Sequence, residues 1–149
     1  MFVIYFFLWL FVLYWIHRAA HVIPYIKDIH WDHHRYVMRA RYGMGWKFNN
    51  LLLYNDTTKS TIDLWMTEVI PTLLFSWLTG HWWISIMYYF WAAFWQESLE
   101  HNKDVDIFLL TPGMWHMKHH RHPNMNFGLF ISFWDIVFKT NRSLNYVGK

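Results

Sequence analysis

The opening stretch MFVIYFFLWLFVLYWI, Met1 to Ile16, carries no charge and is followed at once by His17 and Arg18. No basic segment precedes it and no small-residue cleavage site follows, so it reads as a retained transmembrane helix and not as a cleaved leader. Helical continuation into WIHRAAHVI brings it to the roughly 20 residues that cross the hydrocarbon core. Pro24 then predicts an end or a kink. A second apolar region runs from about Ile62 to Leu99 and is broken at Thr79, Gly80 and His81. That break predicts a tight turn between two spans of roughly 18 to 20 residues. The third apolar run, FGLFISFWDIVF from Phe127 to Phe138, contains Asp135 and is too short to span. It predicts a helix or strand lying against the membrane surface or the core. The expected fold is an all-α integral membrane protein, one domain over residues 1–149. It has about three transmembrane helices, an N-terminal span plus a helical hairpin, under a histidine-rich helical cap.

Composition sharpens this picture in two ways. The 12 Trp and 9 Tyr lower the mean hydropathy while acting at a bilayer as interfacial anchors, so a near-zero mean does not argue for a soluble chain. There are no cysteines, which excludes disulfides, iron–sulfur clusters, thiolate zinc and thiol catalysis together. Any metal is held by nitrogen and oxygen.

Charge predicts orientation. Six Lys/Arg lie between the first span and Lys47, Lys59 precedes the second, six more follow from Lys103 onward, and the turn at 79–81 has none. By the positive-inside rule the 27–61 loop and the tail after His101 are expected on the cytoplasmic side. The basic surplus reads as topology and anionic-lipid contact, with no nucleic-acid partner expected.

Ten of the 11 histidines fall on that same side. They are grouped: His17 and His21 in HRAAH, His30, His33 and His34 in HWDHH, His101, and His116, His119, His120 and His122 in HMKHHRH. On a helix, positions i, i+3 and i+4 share one face, so HxxxH and HxxHH are each expected to aim imidazoles at one point, and neutral imidazole is a ligand for Fe, Zn, Cu and Ni. Eight or more such groups exceed the needs of one ion, so two metal ions are expected. His122 follows an already complete HxxHH and is the weakest member. His81 is the control: it sits about 30 Å from His101 along one helix, a bilayer thickness away, and reads as a satisfied polar side chain.

HRAAHVIPYIKDIHWDHH, with nine residues from His21 to His30, resembles the first two histidine boxes of the fatty acid hydroxylase/sterol desaturase superfamily. The segment from Glu100 to Thr140 is similar to that superfamily's C-terminal signature in order: His-Asn, Thr-Pro ahead of HxxHH, Asn-Phe-Gly, Trp-Asp and Phe-x-Thr. The resemblance implies a membrane di-iron oxygenase, with zinc a substitute for iron in purified protein. It implies His17, His21, His30, His33, His34, His101, His116, His119 and His120 as metal ligands. Asp32, Glu97, Glu100 and Asn102 are candidates to orient them. It also implies O2 and two electrons acting on a lipid C–H bond, by hydroxylation or desaturation. The electrons come from a donor in trans of ferredoxin or cytochrome b5 type, for which the basic loop at Arg35, Arg39 and Arg41 is a docking candidate.

Two departures qualify the match. The chain begins almost at the first histidine box, where relatives carry more membrane helices, and a homo-oligomer is one way to replace that wall. Some relatives have a histidine at the position of Glu97, which is therefore a candidate carboxylate ligand, with a simple interfacial charge the competing reading. Glu68 is read either as an intramembrane functional carboxylate or as an interfacial one. A carotenoid hydroxylase of the same superfamily is the alternative enzyme. A non-catalytic membrane metal-binding protein is the alternative from another class. It is disfavoured as a transporter because ligand residues gather on one face and are not distributed through the bilayer depth.

Overall fold

Helix α1, Phe2–Ala20, is what the uncharged N-terminal run dictates: no residue in it interrupts the backbone ladder, and His17 and Arg18 occupy the last turn, at the negative end of the helix dipole. The computed structural model describes residues 1–39, 45–55, 57–107 and 109–141. The chain turns at 21–23, and Pro24 becomes the first residue of α2, Pro24–Arg39, where its missing N–H leaves no hydrogen bond unmade. Proline therefore starts the second helix and does not kink the first.

A 3-10 turn at Phe48–Leu52 leads into the hairpin. Its first arm is α3, Thr58–Leu64, then a π turn at Trp65–Val69, then α4, Ile70–Thr79. Thr57 caps the arm, its Oγ1 accepting the Ser60 N–H at 3.0 Å. Gly80 closes it at φ +71°, a left-handed conformation that glycine adopts without a Cβ penalty. The second arm is α5, Trp83–Phe94, followed by another π turn at Gln96–Glu100. The expected hairpin is present, with its turn where Thr79, Gly80 and His81 placed it. It differs from expectation in continuity. Each arm carries a π turn, so among the described residues α1 is the one helix that is by itself long and apolar enough to cross a membrane.

The C-terminal third holds α6, Met114–Arg121, and the five-residue α7, Phe133–Val137. No strand forms among the described residues; the extended segments make two isolated bridges, Asp106 to Gly113 and Leu110 to Ile131. The run from Phe127 to Phe138 is thus a loop plus α7. Its organising residue is the fully buried Asp135.

Helix α1 packs against both hairpin arms. Trp9, Leu10 and Leu13 meet Leu64, Val69, Ile84, Tyr88 and Ala92, with Leu129 closing the cluster. Two polar pins fix the alignment: Trp9 Nε1 donates to Thr72 Oγ1 at 2.9 Å, and Ser85 Oγ to Ser76 Oγ at 2.7 Å. Phe2 stacks on Trp83 at 3.9 Å and Tyr5 on His81 at 3.7 Å, so the start of α1 lies at the hairpin turn. Its other end delivers His17 to the opposite pole. Three apolar elements therefore cover one common depth, with His81 at one end and the other grouped histidines at the other.

Candidate metal centre

The geometry of HxxHH governs the site. Residue i+3 lies about 60° to one side of residue i around a helix and i+4 about 40° to the other, so the three imidazoles fan out and do not meet at a single point. In α2, His30 and His34 join one cluster and His33 the other; in α6, His116 and His120 share the second cluster and His119 crosses to the first. Cluster A is His17, His21, His30, His34 and His119, and cluster B is His33, His101, His116 and His120. The expectation that each HxxHH aims at one point is corrected: each straddles two. All nine expected histidines are brought together, and the clusters abut, with the rings of His34 and His120 4.3 Å apart. His122 is exposed, and His81 stacks on Tyr5 far from both groups.

Within the clusters, ring nitrogens converge. His21 Nε2 stands 3.0 Å from His30 Nε2 and 3.1 Å from His119 Nε2, His34 Nε2 is 3.1 Å from His30 Nε2, and in cluster B His120 Nε2 is 2.8 Å from His116 Nε2. Ligands sharing one ion at metal–nitrogen bonds of about 2.1 Å stand about 3 to 3.5 Å from their neighbours, close to these separations.

Proton counting makes the same point. His30 donates its Nδ1–H to Asp63 at 2.9 Å and His119 donates its own to the Met125 carbonyl at 2.6 Å, so both present a bare Nε2 lone pair. The three contacts among His119, His21, His30 and His34 then have at most the two protons of His21 and His34 to bridge them. At least one lone pair faces another, an arrangement that a bound cation resolves. Seven of the rings are held toward the neutral, ligating form. Burial is the main cause and neighbouring imidazole charge adds to it, pushing His21 down to about 2; His33 is pushed down to about 4, although the charge of Asp63 opposes the shift. His34, His101, His116, His119 and His120 are also held below the ordinary histidine range, with burial the leading cause. The residues present fit a pair of metal ions.

What aims the rings was only partly visible in the sequence. His17 Nδ1 donates to the Phe127 carbonyl at 2.8 Å, so the Asn-Phe-Gly loop supports cluster A through its backbone. Asp135 builds that loop. Its carboxylate accepts the N–H groups of Phe127 and Gly128 at 2.8 and 2.9 Å and the Thr140 hydroxyl at 2.8 Å, while Thr140 Oγ1 lies 2.9 Å from the Tyr14 hydroxyl of α1. A Cβ on Gly128 would meet the Ile131 carbonyl at 2.6 Å and Asp135 Oδ2 at 2.8 Å, and one on Gly113 (φ +87°) would collide with Val105. The Trp-Asp and Phe-x-Thr segments are thus the frame behind the histidines.

The carboxylates divide. Asp63, which sequence reasoning missed, orients His30; its signal was a carboxylate one residue inside an apolar run, the same signal that singled out Glu68. Glu97 Oε2 lies 3.8 Å from His101 Nδ1 and Glu100 Oε1 3.6 Å from His116 Nδ1. Asp32 instead faces Arg35 and the Thr57 hydroxyl, each at 3.4 Å, and Asn102 accepts the Asp104 N–H at 3.0 Å. Glu68 is buried and accepts from Tyr88 and Gln96, each at 3.1 Å, tying the two arms together beside the site. A small recess of about 20 Å³, room for about one water, lies against the clusters; His33, His101, His116, Asp63, Glu68 and Glu100 are among its mainly polar walls, and Leu64 and Leu129 are its apolar members.

Comparison with known proteins returns one positive result. The sequence model described as fatty acid hydroxylase matches residues 2–140. Neither the curated proteins nor the solved structures contain a match. The matched range takes in α1, both HxxHH helices and the Asp135 loop, and the chain belongs to the fatty acid hydroxylase family.

Proposed function

We propose that this protein is a membrane-bound di-iron oxygenase that hydroxylates or desaturates a C–H bond of a fatty acyl chain or sterol. The observation that carries the reading is the division of nine histidines into two converging, mostly buried sets at the end of an apolar helical bundle. Two iron ions held there would supply activation of O2 with two electrons and two protons: in hydroxylation one oxygen enters the C–H bond and the other leaves as water, and in desaturation two substrate hydrogens are removed and both oxygens leave as two waters. The chain's own residues do the rest. His17, His21, His30, His34 and His119 hold one ion, and His33, His101, His116 and His120 the other. Asp63 and the carbonyls of Phe127 and Met125 fix ring orientation. Leu64 and Leu129, the apolar members of the small recess beside the clusters, limit water at the site.

Membrane residence is supported by what is left uncovered. Only 28% of the apolar window of α1 is buried, and Leu74, Trp77, Leu78, Ile86 and Phe90 of the hairpin are exposed. A core helix of a soluble protein buries its apolar face; this surface suits lipid. We read the hairpin arms as spans two and three, because they run the same depth as α1, with the histidines on the cytoplasmic face by the distribution of Lys and Arg. Electrons arrive from a separate carrier, with the exposed Arg35 and Arg39 in reach of an acidic donor; Arg41 lies outside the described residues. A homo-oligomer in the membrane would add to the substrate wall.

The test is metal content of detergent-purified protein expressed with iron, with Mössbauer spectroscopy on the same sample and lipid profiling of the expressing cells. Two irons per chain as a coupled pair, with new hydroxyls or double bonds in cellular lipid, is the expected result. One ion per chain, or freely exchanging zinc or copper without altered lipid, would move the protein to a metal-binding role.

A further inference from the structure

The two clusters differ in what stands behind their rings. In cluster A, His17, His119 and His30 each donate Nδ1–H to a fixed acceptor, at 2.8, 2.6 and 2.9 Å. In cluster B, His101, His116 and His120 bury an Nδ1 that has no hydrogen-bond partner among the described residues. The nearest carboxylates stand off, Glu97 at 3.8 Å from His101 and Glu100 at 3.6 Å from His116. His34 of cluster A shares the partnerless Nδ1, so among the described residues the contrast is three anchored rings in A against three buried rings in B whose Nδ1 has no partner.

A ring already fixed in its ligating tautomer and direction loses little freedom when an ion arrives, whereas an unanchored ring has to be aligned and its N–H satisfied at that moment. We infer that the two sites load unequally. Cluster A takes its ion first and holds it more tightly. Cluster B fills second, and Glu100 and Glu97 close onto the Nδ1–H groups of His116 and His101 as it does. In this role the two glutamates are positioning residues. The inference rests on the reading of the nine histidines as metal ligands. Partners behind a ligating ring typically change metal affinity by about 10- to 100-fold, which sets the expected gap between the sites.

The experiment is anaerobic release of Fe2+ from the iron-loaded, detergent-purified protein into a coloured ferrous chelator. Two phases of equal amplitude are expected, with rates differing by about 10- to 100-fold. Glu100→Gln should accelerate the fast phase alone, and Asp63→Asn the slow phase alone. Glu97→Gln provides a second way to mark the fast phase if Glu100→Gln fails to fold. Wild-type protein frozen between the phases should show the Mössbauer signal of one remaining site. Release of both ions in a single phase overturns the inference while leaving the two-ion reading intact. So does acceleration of the fast phase by Asp63→Asn. Fewer than two ions per chain in the loaded sample is a different result, because it removes the metal reading itself.

Discussion

Helix α2 gives two imidazoles to cluster A and one to cluster B, helix α6 does the reverse, and the supports behind them differ in kind. His30 of α2 is held by a side chain of the hairpin, Asp63, so its orientation depends on how α2 meets α3. His119 of α6 is held by the Met125 carbonyl, six residues along the same chain, in the loop that Asp135 ties down. One motif is therefore set by tertiary packing and the other by a local loop. A helical motif fixes how ligands fan out, while the partners behind the rings decide where the fan points.

The strongest way to break this comparison is to remove the residue that each helix sends across. His119→Ala takes a ring from cluster A and His33→Ala one from cluster B. Each should leave the chain short of at least one ion and bring lipid oxidation below detection, read by metal analysis and lipid profiling. Full metal content in either variant would remove that residue from the ligand set.

Next in size is the loop that supports α6. Asp135→Ala strips the acceptor from two backbone N–H groups and a hydroxyl in a fully buried place, and a hydrogen bond to a charged group contributes about 1.5 to 3 kcal/mol. A loss of about 3 kcal/mol or more in stability is expected, with metal loss following it. Asp63→Asn should be milder, because the amide oxygen still accepts from His30 while its charge is gone. Thermal unfolding of the two variants side by side checks the order, and equal destabilisation would erase the contrast between loop and packing.

The sequence made the grouped histidines legible as candidate ligands because imidazole spacing on a helix is a local property. His17 and His21, His30 to His34, and His116 to His120 are each readable within five residues. The hairpin was legible from Gly80 and the apolar runs beside it. The π turns were not, since inserting one residue leaves no mark in an apolar pattern, yet they determine that Glu68, Glu97 and Glu100 face the site. The split of each HxxHH between two clusters was hidden for a related reason: shared face and shared target are different things. Asp135 stood in plain view inside FGLFISFWDIVF. Its role needs the fold, because its partners Phe127, Gly128 and Thr140 come to it only after the loop closes.

Acid offers a gentler perturbation that acts on both clusters together. In the folded chain His33 is pushed down to about 4 and His21 to about 2, mainly by burial, so the folded state favours their neutral forms relative to the unfolded chain. Their contribution to stability is fully present above the unfolded value of 6.5 and is lost as pH falls from 6.5 toward 4 for His33, and further for His21. Protons also compete with metal for the same nitrogens. Metal content after dialysis should hold at pH 7.5 and be lost as acid unfolds the chain or as pH falls below about 4, where His33 charges in the folded state. Retention of both ions by the acid-unfolded chain would show that the imidazoles are not the groups holding them.

The smallest effect is expected at the opposite pole. His81 donates its Nδ1–H to the Thr79 carbonyl, 2.7 Å away, and stacks on Tyr5, so it serves the junction between the hairpin turn and the start of α1. An aromatic stack contributes about 0.5 to 1.5 kcal/mol beyond its buried area, and His81→Ala should lower the unfolding temperature by a few degrees at most. Metal content, the Mössbauer signal and lipid products should all stay at wild-type values. The comparison is sharp because His81 is chemically identical to the nine residues at the other end and differs from them only in position. If its loss emptied either cluster, α1 and the hairpin arms could not run the same depth, and both the spanning arrangement and the division of histidines between clusters A and B would fall with it.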